Sequence, residues 1–310
     1  MLQVAKVDGI LLTRVETNIS PGGTCTAALV YCHGFPDASV TPNAFEEAKQ
    51  APDAPPEHGF WASRFPRKVC EHVLGKFSDV AFLAFNSRGI PGSSSGEPPG
   101  RVEDPPPDFE AKNLSGDMQD IASVARFAAE QFPGAKIIMC GFSTGAFLAL
   151  AFTARPEMHP ASGIAACFVL ASVSDIPSSS SLDFSPEQLA RFEAEGFCLA
   201  RFFPHGGTNN PQLWKLGRGY LDSYASFPDT KTLAASLRAP VLLLQGSDDT
   251  AVPPWHAQTL LEALTAGSGE SVEVVMLKKG NHFLSANAAL RSALSAVSAF
   301  LLRNGLSPSL

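Results

Sequence analysis

A serine hydroxyl attacks a carbonyl only when a base accepts its proton, and that base needs a third group to fix its tautomer and stabilise its charge. Gly141-Phe142-Ser143-Thr144-Gly145 fits the pattern G-x-S-x-G that frames such a serine. The pattern alone is weak, because Gly92-Ser93-Ser94-Ser95-Gly96 fits it as well. Context separates the two. The apolar run Ile137-Ile138-Met139-Cys140 leads straight into Ser143, and residues 146–152 lead out as a buried helix. Pro91 precedes the other match and Glu97-Pro98-Pro99 follows it, so Ser94 is expected in a loop. Between a strand and a helix, flanking glycines allow a sharp turn that holds the serine in strained backbone geometry. The helix N-terminus supplies free N–H groups and partial positive charge where an oxyanion would form. The plainer reading is a serine that caps a helix.

Seven histidines compete for the base. His282 follows the apolar run 272–277 after a short Lys278-Lys279-Gly280-Asn281 loop. His256 falls at the start of a helix after Pro253-Pro254, while His58, His72, His159 and His205 follow no strand. His282 is therefore the expected base. For the acid, Asp248 and Asp249 lie behind the run 241–245, and Asp175 lies beyond a run ending at 171. Any of them can instead close a turn or cap a helix. Spacing leaves all three open.

These residues need a scaffold that brings distant segments to one edge. Short apolar runs at 27–32, 80–85, 136–140, 166–171, 241–244 and 272–277, with helical stretches between most of them, imply strands buried on both faces. Strand and helix in alternation specify an α/β fold, a mostly parallel sheet flanked by helices, with its ligand site outside the carboxyl ends of the strands. Residues 4–7 and 10–15, joined at Asp8-Gly9, read as a hairpin. Ser115 is expected to cap a helix carrying Met118, Ile121, Val124, Ala128 and Phe132 at helical spacing, stopped by Pro133-Gly134. Ser285 is expected to open the last helix. Residues 91–107 read as a long loop. Residues 176–232 interrupt the strand series with helical pieces at 186–195 and 211–226 and a broken Gly206-Gly207 join. They are expected to form a small helical cap inserted late in the sheet of a single domain spanning 1–310.

Hydrophobic residues at 45% and charged residues at 17% suit a folded chain. A formal charge of -7 without a basic block argues against nucleic acid as a partner. Residues 1–12 lack the charged and apolar pattern of a secretory signal, and no stretch reaches the roughly 18 apolar residues of a membrane span. Six scattered cysteines include no C-x-x-C pair, so no metal site is expected, and the expected location is cytoplasmic.

With these motifs in order, the chain resembles the α/β-hydrolase superfamily, nearest to its small esterases, monoacylglycerol-lipase-like enzymes and serine aminopeptidases. The likeness spans nearly the whole chain. It is carried by His33-Gly34-Phe35-Pro36, Asn86-Ser87-Arg88-Gly89, the Ser143 turn, Gly246-Ser247-Asp248-Asp249 and Gly280-Asn281-His282. One departure is Ala146 after Gly145, where the family often has a second glycine. The resemblance implies Ser143, Asp249 and His282 as a triad, the backbone N–H groups of Phe35 and Thr144 as an oxyanion hole, and a cap between the sixth and seventh sheet strands. It makes Arg88 a scaffold residue and His33 structural.

The implied reaction is hydrolysis of an acyl ester by water through an acyl-enzyme, with no cofactor and no metal. Aromatic residues are concentrated in 176–232, and Phe202, Trp214 and Tyr220 are candidates to line an acyl pocket, although a cap also needs large side chains for its own core. Alternatives are a thioesterase, an aminopeptidase drawing an acidic pair from Glu193, Glu195, Asp222 or Asp229, and a non-catalytic ligand-binding protein. The oligomeric state is not specified by the sequence.

Overall fold

The computed structural model describes residues 1–35, 37–50, 60–94, 104–202 and 212–309. Pro36, His58, His205, Gly206-Gly207, Glu97-Pro98-Pro99 and the middle of the 91–107 loop lie outside them. In chain order the elements are β1 (Leu2–Val7), β2 (Leu11–Thr17), β3 (Ala27–Cys32), α1 (Ala44–Gln50), α2 (Arg64–Lys76), β4 (Val80–Phe85), α3 (Leu114–Gln131) and β5 (Lys136–Phe142). Then come α4 (Thr144–Thr153), β6 (Ala166–Leu170), α5 (Ser180–Asp183), α6 (Pro186–Glu195), β7 (Phe197–Phe202), β8 (Gln212–Gly217), α7 (Arg218–Tyr224) and α8 (Thr230–Ser236). The chain closes with β9 (Val241–Gly246), α9 (Trp255–Gly267), β10 (Val272–Leu277) and α10 (Asn287–Arg303).

Eight strands form one sheet in the order β1-β2-β4-β3-β5-β6-β9-β10. β1 and β2 pair antiparallel, as do β2 and β4, and every later pairing is parallel. Side chains of a strand alternate between faces, so an apolar run such as Ala27–Cys32 feeds two cores. Ala28, Val30 and Cys32 join Met139, Val169 and Leu243 under α3 and α4. Ala27, Leu29 and Tyr31 join Phe168 and Leu242 under α2 and α10. Burial on both faces is why these segments read as unbroken apolar runs. All ten residues of α4 are buried, the mark of a helix enclosed on every side.

Local signals were displaced in three places. Asn113, not Ser115, caps α3, its side chain accepting from the Gly116 N–H, because the helix starts two residues earlier at Leu114. Ser285 does not open α10, which begins at Asn287 after Ala286, without a side-chain cap; the Ser285 N–H is taken by the Asn281 side chain. Between β6 and β9 the chain is not purely helical. β7 and β8 form an antiparallel hairpin, so the expected helix at 211–226 is strand through Gly217 and helix only over Arg218–Tyr224. Burial alternates in both strands, with Cys198, Ala200 and Phe202 inward and Trp214 and Leu216 facing them. That period of two is the physical signature of a half-buried strand.

Candidate active site

Ser143 stands between the last residue of β5 and the first of α4 with φ 55° and ψ -128°. A non-glycine residue held there costs roughly 1–3 kcal/mol, which the surrounding packing must offset. The glycines on either side are sterically required. A Cβ on Gly141 would lie 2.3 Å from the Gly145 carbonyl oxygen, and one on Gly145 would lie 2.2 Å from that of His33. Ser143 makes no side-chain cap to its helix, so its hydroxyl is not spent on the backbone. Ser94, by contrast, sits in a loop with its hydroxyl on Asp108.

The Ser143 hydroxyl donates to His282 Nε2 at 3.2 Å, and His282 Nδ1 donates to Asp249 Oδ2 at 2.9 Å. Ser143 and His282 are 139 residues apart in sequence and meet because the loops after β5, β9 and β10 share one sheet edge. Asp249 is buried at 4% exposure. Its Oδ1 accepts the N–H groups of Ala251 and Val252, both at 2.9 Å, and Gln245 donates to Oδ2 at 3.3 Å. Burial alone would raise this carboxyl, but the bonds from His282, Val252 and Ala251 and the imidazole's charge outweigh it, holding the group below its ordinary value. The His282 ring is flanked by Phe142 at 4.7 Å and Phe283 at 5.2 Å between centroids.

The competing residues are engaged elsewhere. Asp175 accepts both the N–H and the hydroxyl of Ser178, and Asp248 accepts the Ser247 hydroxyl at the surface. His72 bonds Ser298, His159 bonds the Phe152 carbonyl, and His256 accepts the Ser174 N–H. Arg88 pairs with buried Asp120, which accepts both its backbone N–H and its guanidinium.

Phe35 and Thr144 line the same small cavity. Thr144 opens α4, so its N–H has no intrahelical acceptor. The loop bearing Phe35 touches Ser143, since a Cβ on Gly34 would lie 3.1 Å from that of Ser143. The rings of Phe35 and Tyr220 meet at 4.3 Å between centroids, tilted by 30°. Tyr220 is fully buried, and Phe202 and Trp214 stack on each other at 4.2 Å with both rings buried. These three aromatics fill the core of the segment between β6 and β9 rather than the open cleft beside it. That cleft, about 510 Å³, is walled by Phe35, Phe184, Leu199, Ala200 and Leu213, with Asp183, Ser185, Gln188 and Arg201 as its polar groups. Gln245 and Asp183 were missed in the sequence. A lone polar residue in the apolar run Val241–Gly246 was a signal for Gln245, whereas Asp183 had none.

Burial holds His33 neutral, pushing its imidazole down to about 4 from 6.5, with the nearby Lys112 charge acting in the same direction against the bond to Gly34. Because the unfolded chain takes up this proton first, His33 weakens the fold as pH falls from about 6.5 toward 4. Asp120, pushed up to about 6 by burial, acts oppositely as pH falls from there to 3.8. An NMR titration of the imidazoles is expected to find His33 uncharged down to about pH 4; protonation near 6.5 would contradict the buried setting.

The chain belongs to the alpha/beta hydrolase family, whose model matches residues 29–293. Its fold is shared by solved hydrolases at low sequence identity. Est1E from Butyrivibrio proteoclasticus is 17% identical with a TM-score of 0.63, covering 98% of each chain. A Pyrococcus furiosus esterase is 15% identical with a TM-score of 0.61, covering 98% of this chain and 90% of that one. A puromycin-hydrolyzing peptidase of Mycobacterium tuberculosis is 18% identical with a TM-score of 0.63, covering 98% of this chain but 39% of that one. No curated protein matches the chain. Among the described residues no helix is long and apolar enough to cross a membrane.

Proposed function

We propose that this hydrolase cleaves carboxylic esters by acyl transfer. Ser143 attacks the carbonyl, His282 takes its proton and returns it to the leaving alcohol, and Asp249 holds the imidazole. The Phe35 and Thr144 N–H groups receive the oxyanion, and a second attack by water releases the acid. The observation that carries this reading is the unbroken Ser143–His282–Asp249 hydrogen-bonded chain at 3.2 and 2.9 Å. The segment from 176 to 232 acts as a cap, and the cleft between its residues and Phe35 takes the acyl group. Six buried free cysteines suit a reducing, cytoplasmic setting.

The carboxylates an aminopeptidase would draw on have other partners, which favours the ester reading. Glu193 and Asp222 share Arg218, Glu195 pairs with Arg191, and Asp229 caps α8. The test is labelling by a fluorophosphonate probe, expected in the native chain and absent in Ser143→Ala. No labelling of the native chain would favour a non-catalytic ligand-binding protein. A substrate panel then reads specificity. With apolar cleft walls, octanoyl p-nitrophenyl ester is expected to exceed the acetyl ester in kcat/KM by at least tenfold, as roughly 0.8 kcal/mol per buried methylene allows. Equal rates would remove the cleft from acyl recognition. A feruloyl ester belongs in the panel because Est1E has been solved with ferulic acid bound, and a thioester and an aminoacyl amide separate the remaining alternatives.

A further inference from the structure

The ammonium of Lys112 is buried, its side chain 2% exposed, far below what a lysine ordinarily accepts. All three of its donors are used. It donates to the Ser87 hydroxyl at 2.7 Å, to the Arg88 carbonyl at 2.8 Å, and to Asp117 in the first turn of α3. Lys112 thus clamps the turn after β4 onto α3. That turn has a second hold on the site, because the Ser87 N–H donates to His33 Nε2 at 3.1 Å. An imidazole nitrogen that accepts from an amide carries no proton, so the hydrogen of His33 is on Nδ1, where it donates to the Gly34 carbonyl at 3.0 Å.

A peptide unit is planar and trans, so the Gly34 carbonyl and the Phe35 N–H point in opposite directions from one rigid plane. Whatever fixes the carbonyl aims the N–H. The Asp37 N–H also donates to this carbonyl, at 2.9 Å, from within the same loop, whereas the His33 bond ties it to the turn after β4. Lys112 and Asp117 also share a small cavity wall with Phe35 and Thr144. We infer that Lys112 is a positioning residue for catalysis, holding Ser87 and through it His33, so that the Gly34–Phe35 peptide presents its N–H to the oxyanion. This rests on the hydrolase reading above, in which that N–H is an oxyanion donor.

The test compares the native chain with Lys112→Met, each normalised by fluorophosphonate titration of Ser143, in a p-nitrophenyl ester assay. Misaiming one oxyanion donor forfeits part of the 10²–10³-fold that such a donor supplies. Acylation is expected to slow roughly 10- to 100-fold per titrated site with KM within about twofold. The Ki of a trifluoromethyl ketone, whose adduct with Ser143 carries an oxyanion, should weaken by a similar factor. Loss of folded protein alone lowers the titre and leaves the Ki of surviving sites unchanged. Removing one partner strands a buried Asp117 carboxylate, so Lys112→Met/Asp117→Asn serves where the single variant does not fold, with the same expectation. Unchanged acylation per site and unchanged Ki in the variant overturn the inference. A native chain that neither titrates nor turns over ester overturns the hydrolase reading, and the positioning role with it.

Discussion

Ser143→Ala is expected to abolish turnover, lowering kcat on a p-nitrophenyl ester by roughly 10⁴- to 10⁶-fold, since removing the nucleophile leaves only binding and oxyanion stabilisation. The fold should survive. Ser143 makes no cap bond to its helix, and among the described residues its hydroxyl hydrogen-bonds His282. Alanine carries the same Cβ and so inherits the backbone strain at φ 55°. Ser143→Gly sheds that Cβ and should be equally inactive yet more stable to urea than Ser143→Ala by about 1 kcal/mol, the strain relieved less the entropy glycine loses on folding. Two inactive variants that differ in stability in this direction locate the loss of activity in the missing oxygen. Activity in Ser143→Ala within tenfold of native would end the case for Ser143 as nucleophile. If the glycine variant were the less stable, the turn would not be strained.

The sheet was legible because each central strand is apolar on both faces and each is closed by a turn. Ala27–Cys32 and Val80–Phe85 show no alternation to mislead a reader. The Ser143 turn was legible for the same reason, an unbroken run into it and a helix buried all round leading out. The hairpin of β7 and β8 was harder to see. Phe197–Phe202 and Gln212–Gly217 alternate in burial instead of forming unbroken apolar runs, and each directly adjoins helical residues. Periodicity also could not show which carboxylate faces His282, because Asp248 and Asp249 are neighbours and diverge only through the turn that gives Asp249 the Ala251 and Val252 N–H groups. Lys112 was illegible for a different reason. Its contacts Ser87 and Arg88 lie 25 and 24 residues away, and no local pattern marks a lysine for burial.

Asp249→Asn is expected to lower kcat about 10⁴-fold while leaving the fold in place, and the geometry dictates why. Oδ1 of Asp249 is met by two backbone donors, the N–H groups of Ala251 and Val252. An asparagine must place its carbonyl oxygen there, since an amide nitrogen would oppose both. Its NH₂ then occupies the Oδ2 position, facing His282 Nδ1 at the present 2.9 Å. A donor at that point can be matched only by an unprotonated Nδ1, so the imidazole proton moves to Nε2 and points at Ser143. The base is then the wrong tautomer and cannot accept the serine proton. Asp248→Asn and Asp175→Asn should stay within about threefold of native, because neither residue meets His282. The carboxylate's depressed value adds a stability test. Asp249 stabilises the fold above the unfolded value of 3.8 and loses that contribution as pH falls through its lower folded value. The stability gap between native and Asp249→Asn should therefore narrow as pH drops below about 3.8. Near-native turnover in Asp249→Asn, or loss confined to Asp248→Asn or Asp175→Asn, would move the acid's role to another carboxylate.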